Sequence, residues 1–144
     1  MTLADLGARC RSPVVRDRYK GDNVEIVPEP ENPGRLVGAL SQLAAGMRAV
    51  GTPDDELWRL TREAALGGIH PIRRAVIDYL ARPDDAHAAE TIAARCRLKE
   101  STARRHLEDL EALEVLDRLG TRPACWRLAP TVSRQWPGQT AEDA

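Results

Sequence analysis

A mainly α-helical fold, with a helical hairpin followed by three helices and a small β-hairpin, is predicted by three observations in the sequence. First, Leu98, Ala103, Leu107, Leu110 and Leu113 recur every three to five residues, which makes one apolar stripe on a helix starting near Lys99. Second, AAETIAARC places Ile92, Ala93 and Cys96 on one face of an earlier helix. Two amphipathic helices thus meet across a short polar turn, which is helix-turn-helix order. Third, VLDRLG and ACWRLA are short β-prone runs around Gly120, Thr121, Arg122 and Pro123. They predict a hairpin, and with it a winged helix-turn-helix.

Composition bounds what such a chain can be. Its 144 residues suffice for one domain of average size with a helical appendage. Apolar residues make up 42% and Phe is absent, so Leu, Ala, Val and Ile must fill the core, which favours helices. The net charge of −1 gives no overall attraction to nucleic acid, so any such affinity must come from how charge is distributed. No apolar run approaches membrane-spanning length and the first residues lack a basic-then-apolar signal pattern, so a cytoplasmic protein with no membrane partner is expected. Cys10, Cys96 and Cys125 are widely spaced and show neither C-x-x-C nor a histidine at ligand spacing. Buried structural thiols are expected, with no metal and no cofactor.

The order of segments predicts four parts. Residues 1–32 form an N-terminal extension and Pro-rich linker: LADLGARC is a helical turn or two, PVVRDRYKGDNVEIV carries a β-prone stretch after a Gly21-Asp22-Asn23 turn, and EPENP excludes regular structure. Residues 33–69 form the helical hairpin. Asn32 caps its first helix, Pro33 opens it and Gly51 closes it, with Leu36, Val37, Leu40, Leu43, Ala44, Met47 and Val50 on one face. Thr52 caps the second, Pro53 opens it, and Leu57, Trp58, Thr61, Ala64 and Ala65 face inward. Residues 70–129 form the winged helix-turn-helix. Its first helix, PIRRAVIDYL, turns Ile72, Val76, Tyr79 and Leu80 inward, Pro83-Asp84-Asp85 breaks it, and Trp126 and Leu128 alternate toward the core. His70 and His87 read as turn residues and His106 as a half-buried histidine at the edge of the stripe. Residues 130–144 have no period and read as a disordered tail with Trp136 exposed.

Charge locates the candidate site. Five cations, Arg95, Arg97, Lys99, Arg104 and Arg105, stand against Glu100 alone around the turn and the first half of the second helix. Arg118, Arg122 and Arg127 add to them across the hairpin, while Glu108, Asp109, Glu111 and Glu114 crowd the far end of that helix. A helix entering a DNA major groove by its N-terminal end shows this polarity, since positive charge and the helix dipole face the phosphates. Opposite the apolar stripe lie Ser101, Arg105 and Glu108, flanked by Thr102, Arg104 and Asp109. Arginine can hold guanine O6 and N7 with two parallel bonds, and hydroxyls reach phosphates or base edges. The expected DNA-binding residues are therefore Lys99, Ser101, Thr102, Arg104, Arg105, Arg118 and Arg122, the last reaching backbone or minor groove from the hairpin tip. The alternative is that these arginines solvate a surface helix of a protein-interaction module.

LKESTARRHLEDLEALEVLDR resembles the turn and recognition helix of the winged helix-turn-helix superfamily, which includes MarR-like and ArsR-like bacterial regulators. Ser101, Thr102, Ala103 and Leu107 match that pattern, whereas Lys99 stands where a capping Ser is common and Arg97 where Gly often ends the preceding helix. A longer resemblance, over residues 3–128, is to the C-terminal part of bacterial and phage helicase-like ATPases and rests on the R-Y-x-G and P-x-R-L pieces. It implies a helical lid at residues 33–69 with Arg35 as a nucleotide-sensing arginine. The P-loop pattern G-x-x-x-x-G-K-[ST] does not occur and the only lysines are Lys20 and Lys99, so Arg35 reads from its own surroundings as a solvent arginine.

The expected function is double-stranded DNA binding, by a transcriptional regulator or by the DNA-contacting C-terminal portion of a replication ATPase. The competing class is a non-catalytic adaptor whose helical hairpin docks a helicase-like ATPase or a second copy of the chain as a homodimer. No carboxylate pair, nucleophile-base set or ligand cluster points to an enzyme.

Overall fold

The computed structural model describes residues 2–17, 19, 23–82, 86–133 and 136. The described elements are, in order, α1 (Leu3–Arg11), β1 (Val15–Asp17), β2 (Asn23–Ile26), α2 (Pro33–Ala49), α3 (Asp54–Leu66), α4 (Pro71–Leu80), β3 (His87–Ala88), α5 (Ala89–Cys96), α6 (Glu100–Ala112), β4 (Leu116–Leu119), β5 (Cys125–Leu128) and α7 (Pro130–Ser133). Helices α2 and α3 make the helical hairpin, and α4, α5, α6 with the β4–β5 hairpin make the winged helix-turn-helix.

The core lies where the three helices of that unit meet the wing. Val76, Ile77 and Leu80 of α4, Ile92 of α5 and Leu107 and Leu110 of α6 close on Leu116, Trp126 and Leu128. Burial of side chains of this size stabilises by about 1.5–3 kcal/mol each. The wing pairs in register from Leu116↔Leu128 to Leu119↔Cys125. It gains a third strand the sequence did not suggest: β3 joins β5 with His87 opposite Trp126, so the order is β3-β5-β4 and His87 is a strand residue, not a turn residue.

Two helix ends bear on the site. Arg97 closes α5 with φ 56° and ψ 42°, a left-handed backbone that costs a non-glycine residue about 1 kcal/mol. At the start of α6, Lys99 is the capping residue and makes no side-chain cap bond, so neither Ser101 nor Thr102 is engaged as a cap.

The N-terminal extension docks on the rest of the fold. Thr2 and Asp5 form a reciprocal capping box that starts α1, and Leu6 and Cys10 join the main core. Gly7 is required by the close approach of α1 to α3, because a Cβ there would stand 2.8 Å from the Ala65 carbonyl oxygen. Strands β1 and β2 pair as an antiparallel hairpin; Gly21 and Asp22 of the expected turn lie outside the described residues, as do Pro83, Asp84 and Asp85. Of the EPENP segment, residues 29–32 have no regular structure while Pro33 opens α2, and Glu31 approaches Arg11 at 3.9 Å.

Several expected inner faces are more open than their period suggests. Asn32 caps α2 by accepting from the Gly34 N–H at 2.8 Å, yet no residue of α2 is buried, and Val37, Leu43 and Val50 are exposed. The apolar face of α2 lies against α3 and α1 but is only partly covered by them. On α3, Leu57 and Ala65 are buried whereas Trp58 and Ala64 are exposed, and Pro53 takes the capping position without a side-chain bond from Thr52. Arg35 is exposed, with Glu31 4.0 Å away.

The described C-terminal residues are packed on the fold and are not a disordered tail. Pro130–Ser133 form a short helix with Val132 fully buried. Trp136 is 5% exposed, packed on the core, and its indole Nε1–H donates to Asp78 Oδ1 at 3.0 Å. Trp136→Phe should therefore lower stability by about 1–2 kcal/mol through the lost bond to a charged acceptor and the smaller ring. Thermal melting checks this, since a residue in an unpacked tail would give no shift.

Candidate nucleic-acid interface

The first turns of α6 and the wing form one surface. Lys99, Ser101, Arg104, Arg105, Arg118 and Arg122 are exposed and Thr102 is half-buried. The structure brings Arg104 of α6, Arg118 of β4 and Arg122 of the β4–β5 turn to one shallow cleft, whose rim also holds Glu90 and Glu100. Lys99, Ser101, Thr102 and Arg105 do not line that cleft; Ser101 and Arg105 continue the outward face of α6 beside it.

Local partners set how much of this charge is available. Arg104 Nη2 bonds Glu100 Oε1 at 2.9 Å along one helical turn, and both side chains are about half exposed. Such a pair contributes roughly 0.3–0.5 kcal/mol and opens readily to a phosphate. Arg127 approaches Asp117 at 3.6 Å across the wing, which removes it from the unopposed cations the sequence suggested. Arg118 stacks its guanidinium 5.5 Å from the centre of the Trp126 ring, which holds an exposed side chain in place at the cleft. Trp126 in turn donates from Nε1 to Glu111 at 3.1 Å.

The acidic end of α6 is satisfied from within the protein. Arg16 of β1 donates from Nε to Asp109 Oδ1 at 2.8 Å, from Nη1 to Glu108 at 3.2 Å and from Nη2 to the Arg105 carbonyl at 2.8 Å. Arg73 of α4 donates to Asp109 Oδ2 at 3.3 Å and to the Cys10 and Ser12 carbonyls at 3.0 and 2.7 Å. Arg9 pairs with Glu114 at 2.7 Å. Asp109, which the helical wheel placed beside the outward face, is thus buried beneath the N-terminal segment. Burial alone would lower the Arg16 pKa; its bonds and charge contacts to Asp109 and Glu108 outweigh that and raise it.

His106 lies half-buried at the edge of α6 with its ring stacked on His70 at 5.3 Å, and burial first, with His70 and two arginines adding to it, lowers its pKa against the opposing pull of Asp109. It packs and does not face the cleft. His70 itself caps α4, its Nδ1 accepting from the Ile72 N–H at 3.3 Å. Burial pushes the Cys10 thiol up to about 12 and also raises Cys96, which leaves both poor nucleophiles at neutral pH. Cys96 and Cys125 are only partly buried, against expectation. Among the described residues no group of three or more His, Cys, Asp or Glu is placed to hold a metal ion, and no helix is long and apolar enough to cross a membrane.

The sequence exposed the cations but not their convergence, nor the acids Glu90 and Glu100 that border the cleft. The Glu100–Arg104 pair was detectable from its i, i+4 spacing. The covering of Asp109 by Arg16, 93 residues away, had no local signal.

Residues 69–118 match a family model described as a helix-turn-helix domain. The span runs from the start of α4 into β4 and so contains the two helices and the turn that carry the exposed cations. The matched residues thus coincide with the helix-turn-helix of the winged fold. No curated protein and no solved structure matches the chain.

Proposed function

We propose that this protein binds double-stranded DNA, with the N-terminal half of α6 entering the major groove and the wing contacting backbone, and that it acts as a transcriptional regulator in the cytoplasm. The observation that carries this reading is the convergence of Arg104, Arg118 and Arg122, from three separate elements, beside the exposed Ser101–Arg105 face. Lys99 and Thr102 complete the contact at the entry of the helix. The internal pairing of Glu108, Asp109 and Glu114 supports it, since acids held by the protein's own arginines repel phosphate less. The proposed role is a non-catalytic one; the phosphate-binding loop pattern of P-loop ATPases does not occur in the sequence, and Arg35 is a solvent arginine.

The helical hairpin supplies a second contact. Trp58 is 65% and Val50 81% exposed, and apolar surface of this kind fits a protein partner. A second copy of the chain suits the DNA-binding role best, because a two-fold dimer offers two recognition helices to two half-sites. A helicase-like ATPase as partner, and a place in DNA replication, rest on the order of sequence segments. An adaptor function would be favoured by self-association or ATPase binding with no affinity for DNA.

The test separates base reading from backbone contact. Arg105→Ala should cost about 1–3 kcal/mol on a preferred site and much less on random duplex. Arg122→Ala should weaken both duplexes alike and reduce the salt slope by about one phosphate contact. Arg62→Ala, on α3 away from α6, serves as the control and should change neither. Fluorescence anisotropy titrations over a salt series measure all three, and an Arg62 effect equal to that of Arg105 would place the contact surface elsewhere.

A further inference from the structure

The β1–β2 hairpin occupies an unexpected place. Arg16, its side chain 5% exposed, ties β1 across the outward side of α6 by reaching the Arg105 carbonyl, Glu108 and Asp109. On the other strand, Asn23 and Val24 border a second shallow cleft with Glu108, Glu111 and Arg118. The pairing Arg16↔Val24 and Asp17↔Asn23 runs on toward the hairpin's end. There Tyr19 is 98% exposed, its backbone N–H bonded to Asp17 Oδ1 at 2.8 Å. In sequence it stands between Arg18 and Lys20, within the R-Y-x-G piece that no other part of the fold explains.

The hairpin therefore shares the side of α6 that carries Ser101 and Arg105. It packs on the half of that side beyond Arg105, next to the face proposed to meet DNA. A fully exposed tyrosine between two cations gains nothing from folding, whereas a phenol can donate to a phosphate and its ring can lie on a sugar. We propose that the β1–β2 hairpin is a second wing, which touches the DNA backbone through Tyr19 beside the recognition helix, with Arg16 as the residue that positions it. This rests on the DNA-binding reading above and adds to it a contact outside the helix-turn-helix domain.

Because Tyr19 is almost wholly exposed, its variants test the contact without disturbing the fold. Tyr19→Ala should weaken binding about five-fold by losing a bond to a charged acceptor. Tyr19→Glu should weaken it about ten-fold, and Tyr19→Lys should restore affinity and steepen the salt slope by about 0.9. Anisotropy titrations of the full chain and the three variants, on one duplex over a salt series, give these values. Equal affinities for the three variants and the wild type, with the wild type still binding in a salt-dependent way, overturn the second wing alone. Tighter binding by Tyr19→Ala overturns it in favour of a hairpin that obstructs DNA. A wild type that binds no duplex at low salt overturns both the second wing and the DNA-binding reading.

Discussion

Asp109→Ala should destabilise the protein by about 3–5 kcal/mol, the usual result of removing one partner from a buried ionic cluster. The carboxylate accepts from Arg16 at 2.8 Å and from Arg73 at 3.3 Å, and both guanidinium side chains are less than a tenth exposed. Removal leaves two buried charges facing each other. Arg16 keeps Glu108 and the Arg105 carbonyl, and Arg73 keeps the Cys10 and Ser12 carbonyls, so the loss falls at the lower end of that range. The cluster joins β1, the end of α1, α4 and α6, so its loss should loosen the N-terminal segment from α6. Chemical denaturation of Asp109→Ala, Arg16→Ala and the double variant measures the coupling. An Asp109→Ala variant within about 0.5 kcal/mol of wild type, the range of ordinary surface substitutions, would contradict the burial.

Leu107→Ala should cost about 2–5 kcal/mol through lost burial and the cavity left behind. Leu107 is fully buried in the middle of α6, on the face opposite Ser101 and Arg105, and belongs to the cluster that contains Ile92, Leu110 and Trp126. Its burial sets the rotation of the helix and hence which residues face outward. Thr131→Ala is the matched control: Thr131 is exposed on α7 and its loss should cost little. Equal melting temperatures for the two variants would mean that α6 is turned about its axis and that another set of side chains faces the solvent.

The winged helix-turn-helix was legible because each of its elements carries a local signal. The stripe from Leu98 to Leu113 defines α6, Ile92 and Ala93 define the inner face of α5, and the turn residues between Gly120 and Pro123 separate two β-prone runs. The ends of α2 were legible for the same reason, from Asn32, Pro33 and Gly51. Its burial was not, because a period reports a face and not what covers it; among the described residues α1 and α3 lie against α2 and leave Leu36, Leu40 and Met47 half-buried. The burial of Leu6 has no periodic signal, since nine residues of α1 give too short a period, although Thr2 and Asp5 stand at capping-box spacing; Cys10 is buried, as its residue type implies. Trp136 reads as a tail residue in the sequence because its partner, Asp78, lies 58 residues away. The candidate site divides in the same manner: identities and exposure of its cations follow from charge and helical phase, while their meeting at one cleft depends on how the wing folds back over α6.

Fluorescence anisotropy of the wild-type chain with duplex DNA at a low and a moderate salt concentration distinguishes a DNA-binding surface from a protein-binding one. The protein should bind at low salt and lose affinity steeply as salt rises, with a slope equivalent to about three or more phosphate contacts. No binding at low salt, or binding indifferent to salt, would contradict the DNA-binding reading and leave the exposed cations of α6 and the wing as the surface of a protein-interaction module.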